Sequence, residues 1–463
     1  MDIRNVVSEG FCVGCGGCAG VADRSIRMRW TETETWVPEL TFASGAALAA
    51  ADRVCPFSDA SANETEIAEA LYEGRSAEWA EELGYHNGLY AGNIRDRDRV
   101  LGSSSGGLTS WFLLQLLEHD EIDGVIHVGP GETDGVLFSY TVSESAEELS
   151  GRRKSQYYSV QFSDVLARIR GNGRRYAFVG VPCFVKAMRS LEQEDDVLRE
   201  QLVWHVGLVC GHMKSGAFAL AMADQLGVPP EAVETVDFRI KDPEARANAY
   251  SFGVRERGSD GWKTQMSRTL LGGNWGHALF QLKACDYCDD IFAETADICF
   301  GDAWVPRYEI DWRGTNLVVA RRPEADRIMK SAGEELKLEP LPFDDLVRSQ
   351  SGNFRHRRDG LSVRLEDDAA AGRKVPRKRI APGAIQVTGV RREIVRLRRG
   401  MAAQSHVSWR EACRAGDMSI FYNEMGGFVR RMEAVYRAAE KISPLKRVKR
   451  KVGRVLRTLG VRK

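Results

Sequence analysis

Cys12, Cys15 and Cys18 stand in the run FCVGCGGC at residues 11–18. Thiolates at Cys-x2-Cys-x2-Cys spacing can hold three corners of one iron–sulfur cluster, as in bacterial ferredoxins, whose fourth cysteine comes in a Cys-Pro pair. A Cys-Pro occurs here at Cys55-Pro56, after an insertion with strand-like segments. The glycines between the cysteines let the backbone wrap closely and turn its N–H groups toward sulfur. A [4Fe-4S] cluster on Cys12, Cys15, Cys18 and Cys55 is the expectation. A structural zinc is the alternative, since four-cysteine tetrahedral sites also take zinc.

A second set begins in FQLKACDYCDDIFAETADICFGDAW, residues 280–304. Cys285 and Cys288 form a Cys-x-x-Cys pair, which needs two more ligands to hold a cluster. Cys183 in VGVPC and Cys210 in GLVC each end an apolar, strand-like run, where the loops of an α/β sheet converge. A thioredoxin-like redox pair or buried cysteines are the competing readings. Cys299 and Cys413 are surplus to two sets of four and are read as small buried residues.

Between the two sets lies LGSSSGGLTSWFLLQLLE, residues 101–118. A Ser/Gly loop opens directly into an apolar helix, so free N–H groups and the helix dipole suit a phosphate or a flavin edge. An ordinary Ser cap followed by a glycine turn would look the same. No Gly-Lys-Ser/Thr ends the loop, so it is not a Walker P-loop. The stretch RRKSQYYS, Arg152 to Ser159, could bind phosphates or be a solvated loop. His127, His205 and His212 are candidate acid–base groups. A His within a strand such as LVWHVG is more often a core residue, whereas His212 follows a candidate ligand in a loop.

The elements that must position these residues alternate. Strands are expected at 124–129, 135–142, 176–181, 202–210 and 315–322, with helices at 184–191 and 216–226 and another after Pro323. That order argues α/β architecture. Residues 235–270 carry alternating patterns that suggest an inserted antiparallel segment. Residues 64–83 read as helical. Residues 372–400 and 430–463 look appended to the core rather than part of it.

At 463 residues the chain has room for two or three domains. It has 43% hydrophobic and 28% charged residues, as ordinary globular proteins do. Ten cysteines without a signal peptide point to a cytoplasmic protein whose thiols are ligands or reactive groups, not to a secreted disulfide scaffold. The last twenty residues hold nine Lys/Arg and no Asp/Glu, so at zero net charge the rest carries −9. In LKRVKRKVGRVLRTLGV, 445–461, Leu445, Val448, Val452, Val455, Leu456 and Leu459 share one helical face and basic residues fill the others. Such a helix suits an anionic membrane surface or docking on a protein. Nucleic acid is not an expected partner, since nothing aromatic or groove-shaped accompanies the charges.

Four motifs now stand together: the N-terminal cysteine run, SSSGGLTS, VGVPC and CDYCDDIFAETADICFGDAW. Their order resembles the coenzyme F420 hydrogenase/dehydrogenase beta subunit family, over roughly residues 10–350, and is similar to hydroxymethyl-chlorophyll and vinyl-chlorophyllide reductases. The resemblance implies a flavoprotein core of α/β (α+β) class with FAD and one or two [4Fe-4S] clusters. By matching motifs, Cys183, Cys210, Cys285 and Cys288 would hold one cluster and the N-terminal four the other. Ser104, Ser105, Gly106, Gly107 and Thr109 match the flavin loop, and Lys154, Ser155 and Tyr157 match a second flavin loop loosely. Asp302, Asn316 and Arg321 fall where the family has polar residues. Phe184 stands where relatives often have Gln, and Gly211-His212 where they have His-Gly.

The implied organisation is a ferredoxin-like segment (1–85), a flavin/iron–sulfur core (86–350) and a basic C-terminal extension with an amphipathic helix (351–463). The implied function is an oxidoreductase passing electrons between coenzyme F420, or a ferredoxin-type donor, FAD and clusters. It would work with a small-molecule redox substrate and an electron-transfer partner, in the cytoplasm and with peripheral membrane contact through the tail. The alternatives are an accessory reductase of a small organic or sugar-linked substrate in surface-polysaccharide synthesis, and a non-enzymatic cluster-bearing protein.

Overall fold

The apolar runs meet in one mixed sheet. In the computed structural model, which describes residues 1–21, 25–75, 78–133 and 135–442, eight strands form it. They are β1 (Gly88–Ile94), β2 (Gly124–Pro130), β3 (Phe138–Ser143), β4 (Tyr176–Gly180), β5 (Leu202–Leu208), β6 (Ile298–Asp302), β7 (Asn316–Ala320) and β8 (Leu336–Pro340). Their spatial order is β8-β1-β7-β6-β5-β4-β2-β3. The block β2-β4-β5-β6 is parallel. β3 closes one edge antiparallel, and β7, β1 and β8 close the other antiparallel.

Strands β4 and β7 are buried along their whole length, as strands covered on both faces must be. Successive residues of β4 feed opposite faces. Phe178 stacks on Tyr140 at 5.5 Å beside Phe162 and Phe184. Ala177 and Val179 join the other core, with Phe112, Trp204 and Phe300. There the helix Leu108–Glu118 lays Phe112 edge-on to Trp204 at 5.5 Å. Truncating any of these rings would cost about 3–5 kcal/mol.

The expected antiparallel insertion is present as a three-stranded sheet, Val233–Ile240, Ser251–Glu256 and Trp262–Met266. Between Cys18 and Cys55 come a hairpin, Arg27–Trp30 with Trp36–Glu39, and the helix Gly45–Val54. This N-terminal segment is seated on the main body. The Phe162 N–H donates to Cys15 O at 2.9 Å, and Phe11 meets Tyr287 edge-to-face at 4.8 Å.

Two expectations need correction. Residues 64–83 are not one helix: a capping box of Asn63 and Glu66 starts it at Glu64, and it ends at Tyr72. Gly74 then turns left-handed, at φ +74, and the chain forms the hairpin Glu78–Ala80 with Gly84–His86. The Glu/Ala-rich composition there mimics a helix. Residues 372–400 are not merely appended. The helix Gly389–Ala415 buries Ile394, Val395, Leu397, Arg398 and Met401. Its arginines look solvated in sequence because their partners, such as Glu366 for Arg392 and Asp368 for Arg399, are distant. The basic tail at 444–463 lies outside the described residues. Among the described residues no helix is long and apolar enough to cross a membrane.

Candidate functional site

The loop bearing Cys12, Cys15 and Cys18 curls because Gly16 sits at φ +86, where a side chain is strained. The curl aims backbone N–H groups at sulfur: Gly14 donates to Cys12 Sγ at 3.3 Å and Gly17 to Cys15 Sγ at 3.5 Å. Cys55, the residue closing the helix Gly45–Val54, comes within electrostatic reach of all three thiols. Burial pushes the Cys12 thiol up to about 12, aided by Cys55. It pushes Cys55 up to about 11, against the N–H groups of Phe57 and Ser58 and the Lys186 ammonium.

The second set forms where parallel strands end. Cys183 lies in the first turn of the helix Pro182–Glu194, just past β4, and Cys210 lies just past β5. Cys285 and Cys288 come from a 3-10 turn, Lys283–Tyr287, and its end. The four thiols are in mutual electrostatic range. Burial raises the Cys285 thiol to about 12, with Cys210 adding to it. The Met213 N–H donates to Cys285 Sγ at 3.2 Å. Cys183 also lies within range of Cys15, so the two sets adjoin.

Seven of these eight thiols are buried and Cys12 is partly exposed. Thiol quartets from separate segments, with backbone N–H groups on their sulfurs, are the donor chemistry that an iron–sulfur cluster takes. Among the described residues, no three His, Cys, Asp or Glu groups gather as around a single metal ion. Cys299 is buried on β6, whereas Cys413, expected to be buried, is exposed; its helix turns it outward.

A cavity of about 290 Å³ lies beside the second set, near the lower end for cofactor pockets. Ser104, Ser105, Gly107, Thr109, Lys154, Ser155, Tyr157, Cys210 and His212 all line it, as do Asp302 and Asn316. One expected loop residue does not. A Cβ on Gly106 would meet Gly92 O at 2.6 Å and Asn316 N at 3.0 Å, so this glycine lets the loop press on the sheet. The Asn316 side chain fastens the loop from below: its Oδ1 accepts from Leu108 N at 3.0 Å, and its Nδ2 donates to Gly301 O at 3.1 Å. Arg321 lies away from the cavity, fully buried, donating to Leu83 O and Phe292 O.

The two loops read from sequence touch, because the Ser155 N–H donates to Ser104 Oγ at 2.8 Å. Lys154 pairs with Asp237 at 3.0 Å. Among the described residues the Ser105 hydroxyl is buried without a partner, a polar atom available to a bound group. His212 is buried against Trp275, with ring centroids 4.5 Å apart. Burial, then Lys214 and Arg398, hold its imidazole well below the usual range, so it is neutral. Arg398 lies 3.2 Å from Nδ1. An arginine only donates, so Nδ1 accepts and Nε2 carries the proton. Nε2 has no partner among the described residues. His212 can therefore present an N–H to a ligand. The two strand histidines face other groups: His127 Nε2 meets Ser143 Oγ at 2.8 Å, and His205 Nε2 lies 2.5 Å from Glu192 Oε1.

Several residues at or next to the cavity escaped sequence reading. Arg239 reaches in from the antiparallel insertion and pairs with Asp302 at 2.7 Å. Lys241 ties the loop by donating to Ser105 O at 2.6 Å and Val100 O at 2.6 Å. Lys214 and Trp275 line the cavity, with Lys214 Nζ 4.9 Å from the ring centroid. Phe184, the departure from the family pattern, forms apolar wall and stacks on Tyr140 at 6.0 Å. Only spatial convergence identifies Arg239, Lys241, Lys214 and Trp275; no local spacing marks them.

The class is that of thiol-rich mixed α/β proteins whose crevice opens where the parallel strands end. The sequence matches the family described as coenzyme F420 hydrogenase/dehydrogenase, beta subunit, through its N-terminal part over residues 89–167 and its C-terminal part over 173–345. The chain belongs to this family. It is 28% identical over 193 residues to the coenzyme F420-dependent sulfite reductase of Methanocaldococcus jannaschii, covering 41% of this chain and 26% of that protein. The match thus spans about a quarter of that curated relative. A chain in a solved structure of the F420-reducing [NiFe] hydrogenase complex from Methanosarcina barkeri aligns with a TM-score of 0.49 and 18% identity, covering 65% of this chain and 98% of that one.

Proposed function

We propose that this protein is an iron–sulfur flavoprotein oxidoreductase, exchanging electrons between coenzyme F420 or a ferredoxin-type donor and a partner. The observation that carries the reading is one cavity lined by both expected flavin loops and by Cys210, with Cys183 of the same quartet adjoining Cys15 of the other. When bound, a flavin exchanges a hydride for single electrons, and clusters carry single electrons. Ser104, Ser105, Gly107 and Thr109, opening the helix Leu108–Glu118, would hold an anionic or polar edge of FAD. Gly106 would act indirectly, by seating the loop. Lys154, Ser155 and Tyr157 would close the opposite wall. His212 would donate through Nε2 to the bound ring or substrate and serve as orienting group. The two cysteine quartets would hold two [4Fe-4S] clusters.

In this reading residues 1–85 form the ferredoxin-like unit, 86–350 the flavin core and 351–463 the extension. A protein partner would exchange electrons near Cys12, the most exposed of the eight thiols. The basic tail would add contact with an anionic membrane surface, checked by comparing vesicle binding of the full chain and a chain ending at residue 443. The deciding experiment is anoxic purification with iron, sulfide, zinc and flavin quantified. About eight irons and one FAD per chain are expected. About four irons would remove one cluster, and zinc without sulfide would remove both.

A further inference from the structure

Arg357 is 3% exposed. It projects from a π-helical turn, Arg355–Asp359, a distortion that frequently marks functional positions in helices. Its guanidinium enters the second cysteine set. Nη1 donates to Cys210 O and Gly211 O, both at 2.9 Å. Nε donates to Cys288 O at 3.2 Å, and Nη2 to Asp290 O at 3.0 Å and to Cys288 Sγ. One side chain thus ties the loop after β5 to the loop after Cys285. It contacts a sulfur that the reading above assigns as a ligand. The family match ends at residue 345, so Arg357 comes from the segment beyond it.

Two neighbours in the same segment act alike. Arg364 donates to Asp286 O at 2.8 Å, and Arg398 to Gln281 Oε1 at 3.0 Å beside His212. The Arg357 guanidinium thus lies against Cys288 Sγ and is fixed there by four backbone carbonyls.

We propose that Arg357 is the buried counter-charge of the redox group on Cys183, Cys210, Cys285 and Cys288, raising its electron affinity. The C-terminal extension is thereby a working part of the redox centre. The inference rests on the cluster reading above. Reduction adds one electron to the group, with no bond made or broken and no proton taken up, so its charge becomes one unit more negative. A fixed positive charge and a hydrogen bond to a ligand sulfur both favour that state.

The test uses the full chain, purified anoxically and reduced by dithionite as one-electron donor. Iron is counted, and the second cluster's reduced-to-oxidised ratio is read by electron paramagnetic resonance at a fixed poise. In a parent that holds the cluster, Arg357→Met is expected to lower the ratio at least tenfold, equivalent to about 59 mV for one electron. Arg357→Lys, which keeps the charge, is expected to stay within about threefold of the parent. An Arg357→Met protein with full iron and an unchanged ratio overturns the inference. If that variant fails to assemble, Arg357→Lys decides alone: a ratio near the parent's supports the charge, and a tenfold fall overturns it. A parent whose iron count does not change on Cys285→Ser holds no cluster at the second set, which defeats the cluster reading itself and is distinguished from failure of the inference.

Discussion

The Ser155 N–H donates to the Ser104 hydroxyl at 2.8 Å, so the Ser/Gly loop and the basic loop are held together at the cavity by a side chain rather than by a strand. Ser104→Ala removes the acceptor. A single hydrogen bond contributes about 1 kcal/mol, so flavin affinity is expected to fall roughly fivefold, with little change in thermal stability. Ser104→Thr should restore most of the affinity. Flavin titration of the three proteins checks this, and equal affinities would show that the loops hold without the bond.

Gly106 tests the seat of the same loop. Valine there would drive its Cβ toward Gly92 O and Asn316, two groups of the sheet rather than the tip of a mobile side chain. The expected cost is about 1–3 kcal/mol, together with loss of most flavin. Iron on the N-terminal quartet should persist, because none of its cysteines touches this loop. Normal flavin content in Gly106→Val would remove the loop from the site.

How much of this was legible in sequence differs by kind of signal. The cysteine runs, the Ser/Gly loop and the main-sheet strands are local patterns: the thiols come within range of one another, the loop opens the helix Leu108–Glu118, and the strands fall within a few residues of their expected ranges. The helix expected over 64–83 failed because Glu and Ala favour helix while the single Gly74 breaks it. Arg357, Arg239 and Lys241 were invisible because each acts on residues far along the chain, and an isolated basic residue carries no periodic signature. The extension looked solvated for the same reason: sequence shows Arg392 and Arg399, but not the Glu366 and Asp368 that neutralise them. Gly106 lies in the Ser/Gly loop, but its close contact is with the sheet and not with the cavity.

His127 gives a pH dependence with a definite sign. Burial, reinforced by Arg152, lowers its imidazole to about 4, against an ordinary 6.5. Between those values the unfolded chain binds a proton that the folded chain refuses, so this group's contribution to stability is lost as pH falls from about 6.5 toward 4. The full effect is on the order of 3 kcal/mol. His127→Asn can keep a bond to Ser143 and does not titrate. Its stability, followed by denaturant unfolding at pH 7 and pH 4.5, should fall less than the parent's. Parallel pH profiles for the two proteins would rule out a buried neutral His127.

Arg379 carries the last prediction. It reaches from the strap between the helices Gly360–Ala370 and Gly389–Ala415 into three carboxylates. Asp289 is at 3.2 Å, Glu294 at 2.6 Å and Glu64 at 3.9 Å. All three acids are buried, and Asp289 directly follows Cys288. Burial, with Glu294 and Glu64, already pushes the adjacent Asp290 carboxyl up to about 7, while Arg379 opposes the rise. Arg379→Ala would leave these acids facing one another without that guanidinium. Breaking a buried pair by removing one partner costs about 3–5 kcal/mol, and the lower end applies because the Arg379 side chain is 22% exposed. A melting temperature lower by several degrees is expected, with iron lost preferentially from the second cysteine set. Arg379→Lys, which keeps the charge without the fork, should lose less. The deficit should shrink at pH 5, where the acids can take up protons. A melting temperature within a degree of the parent's at pH 7 would show that the carboxylates find other partners.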